Sequence, residues 1–192
     1  MKTRSIMIVG VGGQGSLLAS RIIGNVLLSQ GFDVKVSEVH GMSQRGGSVV
    51  TYVRYGKEPV YSPVIGEGGA DIIMAFEELE AYRSLPFLKK GGVLLVNSQC
   101  IDPMPVIMGK EKYPENIIEK IEKKGVRLTA VNALRLAEKA GSVKAVNVVL
   151  IGLLAKNTDI KKEVWEEVIK ETVPEKFLDI NLKAFGLGYD HE

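Results

Sequence analysis

The first apolar run of this chain, residues 5–9, breaks into six residues that read G-V-G-G-Q-G, from Gly10 to Gly15. Residues 16–30 then carry Leu17, Leu18, Ile22, Val26 and Leu27 at helical spacing. A short strand that turns through glycines into an amphipathic helix restricts the architecture more than any other feature here. Gly10, Gly12 and Gly15 form G-x-G-x-x-G in the context that motif needs, with an apolar strand before it and a helix after it. The glycines let the backbone turn tightly and approach a ligand, and the start of the helix offers N–H groups to an anion. The same glycines also serve simply to close a crowded strand–helix turn, so ligand contact and packing stand level at this point.

The alternation continues along the chain. Residues 32–39 and 48–55 are valine-rich and read as a second and third strand, and residues 56–69 form a Pro- and Gly-containing connector. Residues 71–76 read as a strand and 77–84 as a short helix, while Pro86, Gly91 and Gly92 bracket the turn into a strand over 93–97. Pro103 and Pro105 argue against a regular element in residues 98–112. An amphipathic helix is predicted over 114–124, ended by Gly125, then a strand over 126–131 and helices over 133–140, 144–156 and 161–173, with Pro174 closing the last. Val164, Val168, Ile169 and Val173 beside Trp165 read as a core stripe. Residues 186–192 read as a frayed tail, which gives His191 no catalytic role. Strands alternating with helices predict an α/β fold, Rossmann-like, with a mostly parallel sheet, helices on both faces and a helical C-terminus. No repeat or linker interrupts residues 1–192, which predicts a single domain.

Composition narrows the function classes. Of the 192 residues, 25 are Lys or Arg and 23 Asp or Glu, a net charge of +2, so there is no concentrated basic character to predict a nucleic-acid partner. One cysteine, Cys100, excludes an internal disulfide and any multi-cysteine metal or iron–sulfur site. No apolar run approaches the ~18 residues of a membrane-span candidate. The first residues, M-K-T-R-S-I-M-I-V-G, lack the apolar core and cleavage site of a signal peptide. A cytoplasmic protein is expected.

Residues 40–47 read H-G-M-S-Q-R-G-G between two strands. Polar, glycine-rich segments on a rigid scaffold make poor cores and good binding surfaces. Arg45 can fork onto a phosphate or carboxylate, and Ser43 and Gln44 can donate or accept. Gly46 and Gly47 leave backbone N–H groups free to form an anion-binding nest. His40 reads equally as a structural hydrogen-bonder or a catalyst. Just upstream, Glu38 stands where a dinucleotide fold places its ribose-binding acid, which keeps an NAD(P)-dependent dehydrogenase open. The loop that follows counts against ordinary NAD binding, because it supplies polar donors where an adenine site has a simple turn and an apolar slot.

Taken together, G-V-G-G-Q-G at residues 10–15 and S-E-V-H-G-M-S-Q-R-G-G-S at 37–48 resemble the gamma-type subunits of the 2-oxoacid:ferredoxin oxidoreductases. The runs A-D-I-I-M-A-F-E-E-L-E-A at 70–81, G-G-V-L-L-V-N at 91–97 and N-V-V-L-I-G at 147–152 fit the same family. The H-G-M-S-Q-R form points to the indolepyruvate type. The resemblance implies a complex that uses thiamine diphosphate, magnesium, iron–sulfur clusters and coenzyme A to convert a 2-oxoacid to an acyl-CoA, passing electrons to ferredoxin.

This chain has one cysteine and no G-D-G thiamine motif. Those absences agree with an accessory subunit, inactive alone, whose large partner chain carries the cofactors. The resemblance further implies that Gly10, Gly12, Gly13, Gln14, Gly15, His40, Ser43, Gln44, Arg45, Gly46 and Gly47 bind ligand or border the active site, with coenzyme A as co-substrate. Under that reading residues 12–15 and 43–47 are expected to converge at the C-terminal edge of the sheet. Glu77, Asn97 and Asn147 are further candidates beside their plainer readings as a helix-capping acid, a turn asparagine and a polar group that needs a partner in an apolar helix. No residue is assigned a catalytic role, and no metal, nucleic-acid or membrane partner is expected of this chain. Two other readings remain open: a free-standing NAD(P)-dependent dehydrogenase, and a Rossmann-like interaction module that self-associates when its partner is absent.

Overall fold

The computed structural model describes residues 3–40 and 47–191. Ser43, Gln44, Arg45 and Gly46 therefore lie outside the described residues, as does the side chain of His40.

Six strands form one sheet: β1 (Arg4–Val11), β2 (Asp33–His40), β3 (Ser48–Gly56), β4 (Ala70–Ala75), β5 (Leu88–Asn97) and β6 (Arg127–Val131), in the order β2-β3-β1-β4-β5-β6. β1, β4, β5 and β6 are parallel, whereas β3 runs antiparallel to both neighbours, so β2 shares the direction of β1. The sheet is thus mostly parallel, as expected, with one reversal. The reversal follows from chain length: only residues 41–47 separate β2 from β3, and a parallel crossover needs a dozen or more residues. The short return places β3 between β2 and β1, and it brings the start of β3 against the end of β1, where Val11 pairs with Ser48.

β1 shows why both faces need cover. Ile6 and Ile8 enter one core, with α1 (Ser16–Ser29), while Met7 and Val9 enter the other, with α2 (Glu78–Ser84). Alternate residues of a strand point to opposite faces, so an unbroken apolar run signals burial on both. On the first face α1 buries Ala19, Ile22, Ile23, Val26 and Leu27. α5 (Ala133–Ala140), α6 (Val146–Lys156), α7 (Lys162–Thr172) and α8 (Leu178–Tyr189) complete that layer, and Trp165 and Phe185 are fully buried within it. α6 is buried from Asn147 through Ala155, an apolar helix inside the layer. The second face carries α2 and the short α4 (Ile117–Glu122), whose Ile117 and Ile121 pack with Leu79, Ile73 and Val96. The stripe of Val168, Ile169, Val173 and Trp165 is core.

Four expectations are corrected. The segment around Pro103 and Pro105 contains a short helix, α3 (Met104–Ile107), because proline in a first turn gives up an N–H that has no intrahelical partner anyway. The helix expected over 114–124 begins only at Ile117, after Asn116 in the left-handed conformation (φ 55°). β5 starts at Leu88, not residue 93, and passes through a register shift against β4 near left-handed Gly91. The tail expected over 186–192 is instead the end of α8, which runs to Tyr189 and lies along α6.

Candidate functional site

β1 enters the first glycine turn and β4 lies beside it, but their chains diverge there. α1 crosses to one face and α2 to the other, which opens a crevice at the carboxyl ends of the strands, the place where open α/β sheets bind ligands. The two motifs meet at this edge: the Gly12 N–H donates to the Gly47 carbonyl at 2.9 Å, beside the Val11–Ser48 pair. Gly47 is therefore joined to the glycine turn.

The glycines divide by role. A Cβ on Gly10 would stand 2.8 Å from Gln14 Oε1 and 2.9 Å from Phe76 Cβ, so close packing excludes one. Gly15 caps α1 at φ +86°, a left-handed backbone that disfavours a side chain, and a Cβ there would meet Asn147 Nδ2 at 2.9 Å. Gly13, at φ +99°, has open space around it. α1 begins with no side-chain cap and no acidic residue in its first turn, so among the described residues no side chain competes for the N–H groups of that turn, which no intrahelical carbonyl reaches.

Three of the expected site residues have their side-chain amides engaged within the fold. Gln14 Oε1 accepts from the Val11 N–H at 2.7 Å and its Nε2 donates to the Phe76 carbonyl at 3.1 Å, so its amide ties the end of β1 to the end of β4. Asn97 is buried; its Nδ2 donates to the same Phe76 carbonyl at 3.1 Å and its Oδ1 accepts from the Ala133 N–H at 3.0 Å, tying β5 to the start of α5. Asn147 is also buried and finds the partner its position demands: Nδ2 donates to the Gly15 carbonyl at 3.4 Å and Oδ1 accepts from Val148 N–H at 3.0 Å.

Glu77 is buried and hydrogen-bonded through both carboxylate oxygens. Its Oε2 accepts from Glu80 N–H at 2.8 Å as the cap of α2, and its Oε1 accepts from Ile101 N–H at 3.2 Å and from the Tyr113 hydroxyl. The carboxylate thereby clasps the segment around α3 onto α2. Burial and the Glu77 hydrogen bond hold the Tyr113 phenol protonated far above its usual range. Burial also pushes the neighbouring Cys100 thiol up, and the Glu78 and Glu77 carboxylates act in the same direction. Each unit of that rise leaves about tenfold less thiolate at neutral pH, and the thiolate is the nucleophile. Although Cys100 is exposed, iodoacetamide at pH 7.5 is expected to alkylate it more slowly than free cysteine. A rate equal to that of free cysteine would contradict this assignment.

Three clefts border the glycine turn. One of about 460 Å³ runs past Gly13, Gln14 and Gly15 to Gln99, Val143, Lys144 and Asn147, and Lys144 is the only charged residue lining it among those described. A second of about 460 Å³ is lined by Gly12, Gly13, Gly15, Ser16, Leu17, Glu38 and Val49, with Glu38 the only charge lining it among the described residues. Glu38 therefore does stand beside the glycines, and its carboxylate accepts from Thr51 Oγ1 at 3.2 Å. The third, about 300 Å³, lies between Gly47, Ser48 and the Glu77 clasp, and includes Glu80, Arg83 and Asp102. Lys144, Gln99 and Glu80 were not among the expected site residues. Nothing local marks them, since each reaches the crevice only through the sheet order. Among the described residues no cluster of three or more His, Cys, Asp and Glu side chains is placed to hold a metal, and no helix is long and apolar enough to cross a membrane.

Comparison with known proteins agrees with this architecture. The chain is 46% identical to the indolepyruvate oxidoreductase subunit IorB of Pyrococcus horikoshii, and 45% identical to the protein of that name from Thermococcus kodakarensis. Each alignment covers 98% of this chain and 95% of the relative. The crystal structure of the keto/oxoacid ferredoxin oxidoreductase gamma subunit from Geobacter sulfurreducens superposes with a TM-score of 0.73 at 27% identity, over 97% of this chain and 96% of that one. The family model described as pyruvate ferredoxin/flavodoxin oxidoreductase matches residues 5–191. With its glycine turn and loop stem joined at one edge of the sheet, the chain belongs to the pyruvate ferredoxin/flavodoxin oxidoreductase family.

Proposed function

We propose that this chain is the accessory, gamma-type subunit of a complex that oxidatively decarboxylates an aryl 2-oxoacid such as indolepyruvate to its acyl-CoA, with ferredoxin as electron acceptor. The observation that carries the reading is the Gly12–Gly47 hydrogen bond, which sets the stem of the H-G-M-S-Q-R-G-G loop on the glycine turn at the mouth of the crevice. The 45–46% identity to indolepyruvate oxidoreductase subunits supports the substrate class. A single cysteine does not fit cluster ligation, which takes several thiolates. Thiamine diphosphate, magnesium and the clusters belong to the large partner chain in this reading, and ferredoxin meets the complex there. Residues 1–192 act as one domain in the cytoplasm.

The part of this chain is to complete the coenzyme A site. Gly13 leaves room for a phosphate against the start of α1, the Lys144 ammonium lines the adjoining cleft, and Arg45 with the loop amides supplies further donors. In the complex reconstituted with its partner, Arg45→Ala is expected to raise the apparent KM for coenzyme A or for the oxoacid roughly 10- to 100-fold, the equivalent of one charge-assisted hydrogen bond. Unchanged kinetics would remove Arg45 from the site.

The position of Glu38 beside the glycine turn favours one second reading, an NAD(P)-dependent dehydrogenase whose ribose hydroxyls meet that carboxylate. Thermal stabilisation of the isolated chain by NAD(H) but not by coenzyme A would favour it; the reverse pattern excludes it.

A further inference from the structure

The edge of the sheet opposite the crevice has an opening of its own. β5 and β6 begin there, and a cleft of about 690 Å³ lies between the start of β5, the turn into β6 and the end of α2. Small-molecule sites commonly enclose about 300–1,000 Å³ behind a mainly apolar lining. Here Leu85, Leu88 and Val126, which pack against the second core, line the cleft together with Tyr82 and Pro86.

The charges around it are of one sign. Lys89, Lys90, Lys124 and Arg127 line the cleft, and among the described residues no carboxylate does. The backbone brings them together. β4 advances from Ala70 to Ile72 while β5 advances from Leu88 to Val93, so residues 89–92 bulge out of the ladder. Gly91 is left-handed at φ +81°, and a Cβ on Gly92 would stand 2.9 Å from the Lys89 carbonyl oxygen, so both glycines let the bulge fold tightly. Bulges re-aim side chains, and this one presents two lysines. Gly125, at φ +68°, turns the chain from α4 into β6 and places Lys124 and Arg127 on the other side. The Lys124 ammonium stands 5.7 Å from the centroid of the Tyr82 ring.

Only one flank of the bulge is neutralised. In the adjoining cleft of about 470 Å³, Lys89 pairs with Asp71 at 2.6 Å and Arg4 with Asp159 at 3.2 Å. Lys90, Lys124 and Arg127 make no ion pair among the described residues. Three like charges gathered over apolar surface repel one another and focus a positive potential that an anion relieves.

We propose that this cleft binds an organic polyanion with a flat ring, of the nucleoside diphosphate class. Its phosphates meet Lys90, Lys124 and Arg127, whose guanidinium can fork onto one of them, and its ring lies against Tyr82, Leu85 and Val126. A concave, partly apolar lining suits a small ligand better than the face of an acidic polypeptide. The site is separate from the crevice, because the five residues of β6, roughly 15 Å of strand, run between the two edges.

Isothermal titration of the full chain at low salt with GDP, free of divalent cations, tests the assignment. Lys124→Gln and Arg127→Gln are each expected to weaken binding about tenfold, Tyr82→Ala about three- to tenfold, and guanosine, without phosphates, binds at least tenfold more weakly than GDP. The three replaced residues are exposed, so the unfolding midpoints of these variants stay at that of the parent. Lys144→Gln marks binding in the crevice instead: affinity that falls in that variant and holds in Lys124→Gln and Arg127→Gln overturns the proposal. Absence of binding at millimolar GDP overturns it too. Pyrophosphate bound as tightly as GDP removes the ring from the ligand, and a polyglutamate peptide bound more tightly than GDP replaces the small ligand with an acidic polypeptide; either result overturns the nucleotide class.

Discussion

Replacing Gly188 by alanine is expected to destabilise the chain by about 2–4 kcal/mol, whereas the same replacement two residues earlier, at Gly186, is expected to stabilise it. The two glycines share one helix, so helix propensity alone predicts the same sign for both, a gain of about 1 kcal/mol. Their surroundings differ. A Cβ on Gly186 meets nothing within 4 Å. A Cβ on Gly188 falls on the carbonyl oxygen of Val149 in α6, and one on Gly152 of α6 falls on the carbonyl oxygen of Phe185. The two helices therefore touch backbone to backbone through a reciprocal pair of glycines. A methyl group at either position forces them apart along a contact that buries Ala184 and Phe185. Overpacking of this kind costs about 1–3 kcal/mol, and more where neither side can yield because the obstacle is main chain. For a chain of this length the Gly188→Ala midpoint should fall by roughly 4–16 °C, while that of Gly186→Ala holds or rises. Thermal or urea unfolding followed by far-UV circular dichroism measures both. Equal shifts of the same sign would show that α8 does not dock on α6 through its glycines.

That contact also explains what the sequence could not disclose. Gly186 and Gly188 lie near the chain end, where local composition reads as fraying; the helix exists because α6 offers a complementary groove some forty residues earlier. β1, β4, β6 and α7 were legible to within two or three residues, because each carries an apolar period that its own packing satisfies. The reversal of β3 was implicit in a seven-residue connection but invisible to periodicity, which carries no strand direction. At the site, the glycine turn could be read from composition, and Glu77 from its place ahead of a helix. Gln14 and Asn97 were read as candidates to border the site, and the amides of both donate to the Phe76 carbonyl. Which way a polar side chain points is decided by neighbours across the sheet. For the same reason Lys144 and Glu80 were not singled out.

Truncating Glu77 to alanine should cost about 3 kcal/mol and open the clasp beneath the crevice. The carboxylate accepts three hydrogen bonds in a site that is 1% exposed: the Glu80 N–H, the Ile101 N–H and the Tyr113 hydroxyl. Alanine removes the cap of α2, typically worth about 1 kcal/mol. It also leaves the Ile101 N–H and the Tyr113 hydroxyl without their acceptor, at about 1–3 kcal/mol for each group that water does not reach. Tyr113 and Ile101 are only half-buried, so solvent recovers part of that loss and the total settles near the lower sum. Glu78, one residue on, provides the control. Burial raises its pKa, with the Glu77 charge in the same direction, and outweighs the hydrogen bond from Cys100, so the site disfavours its charged form and Glu78→Gln should leave stability level or slightly higher. Glu77→Gln keeps two acceptor lone pairs on one oxygen and should fall between the two. The loss also has a direction in function, because residues 101–105 and Ser48 line the same cleft. In the reconstituted complex Glu77→Ala should therefore raise the apparent KM for coenzyme A or the oxoacid as well as lower the unfolding midpoint, by roughly 6–12 °C. A midpoint within 2 °C of the parent would mean that the α3 segment is held by packing alone, and that the buried carboxylate has some other use.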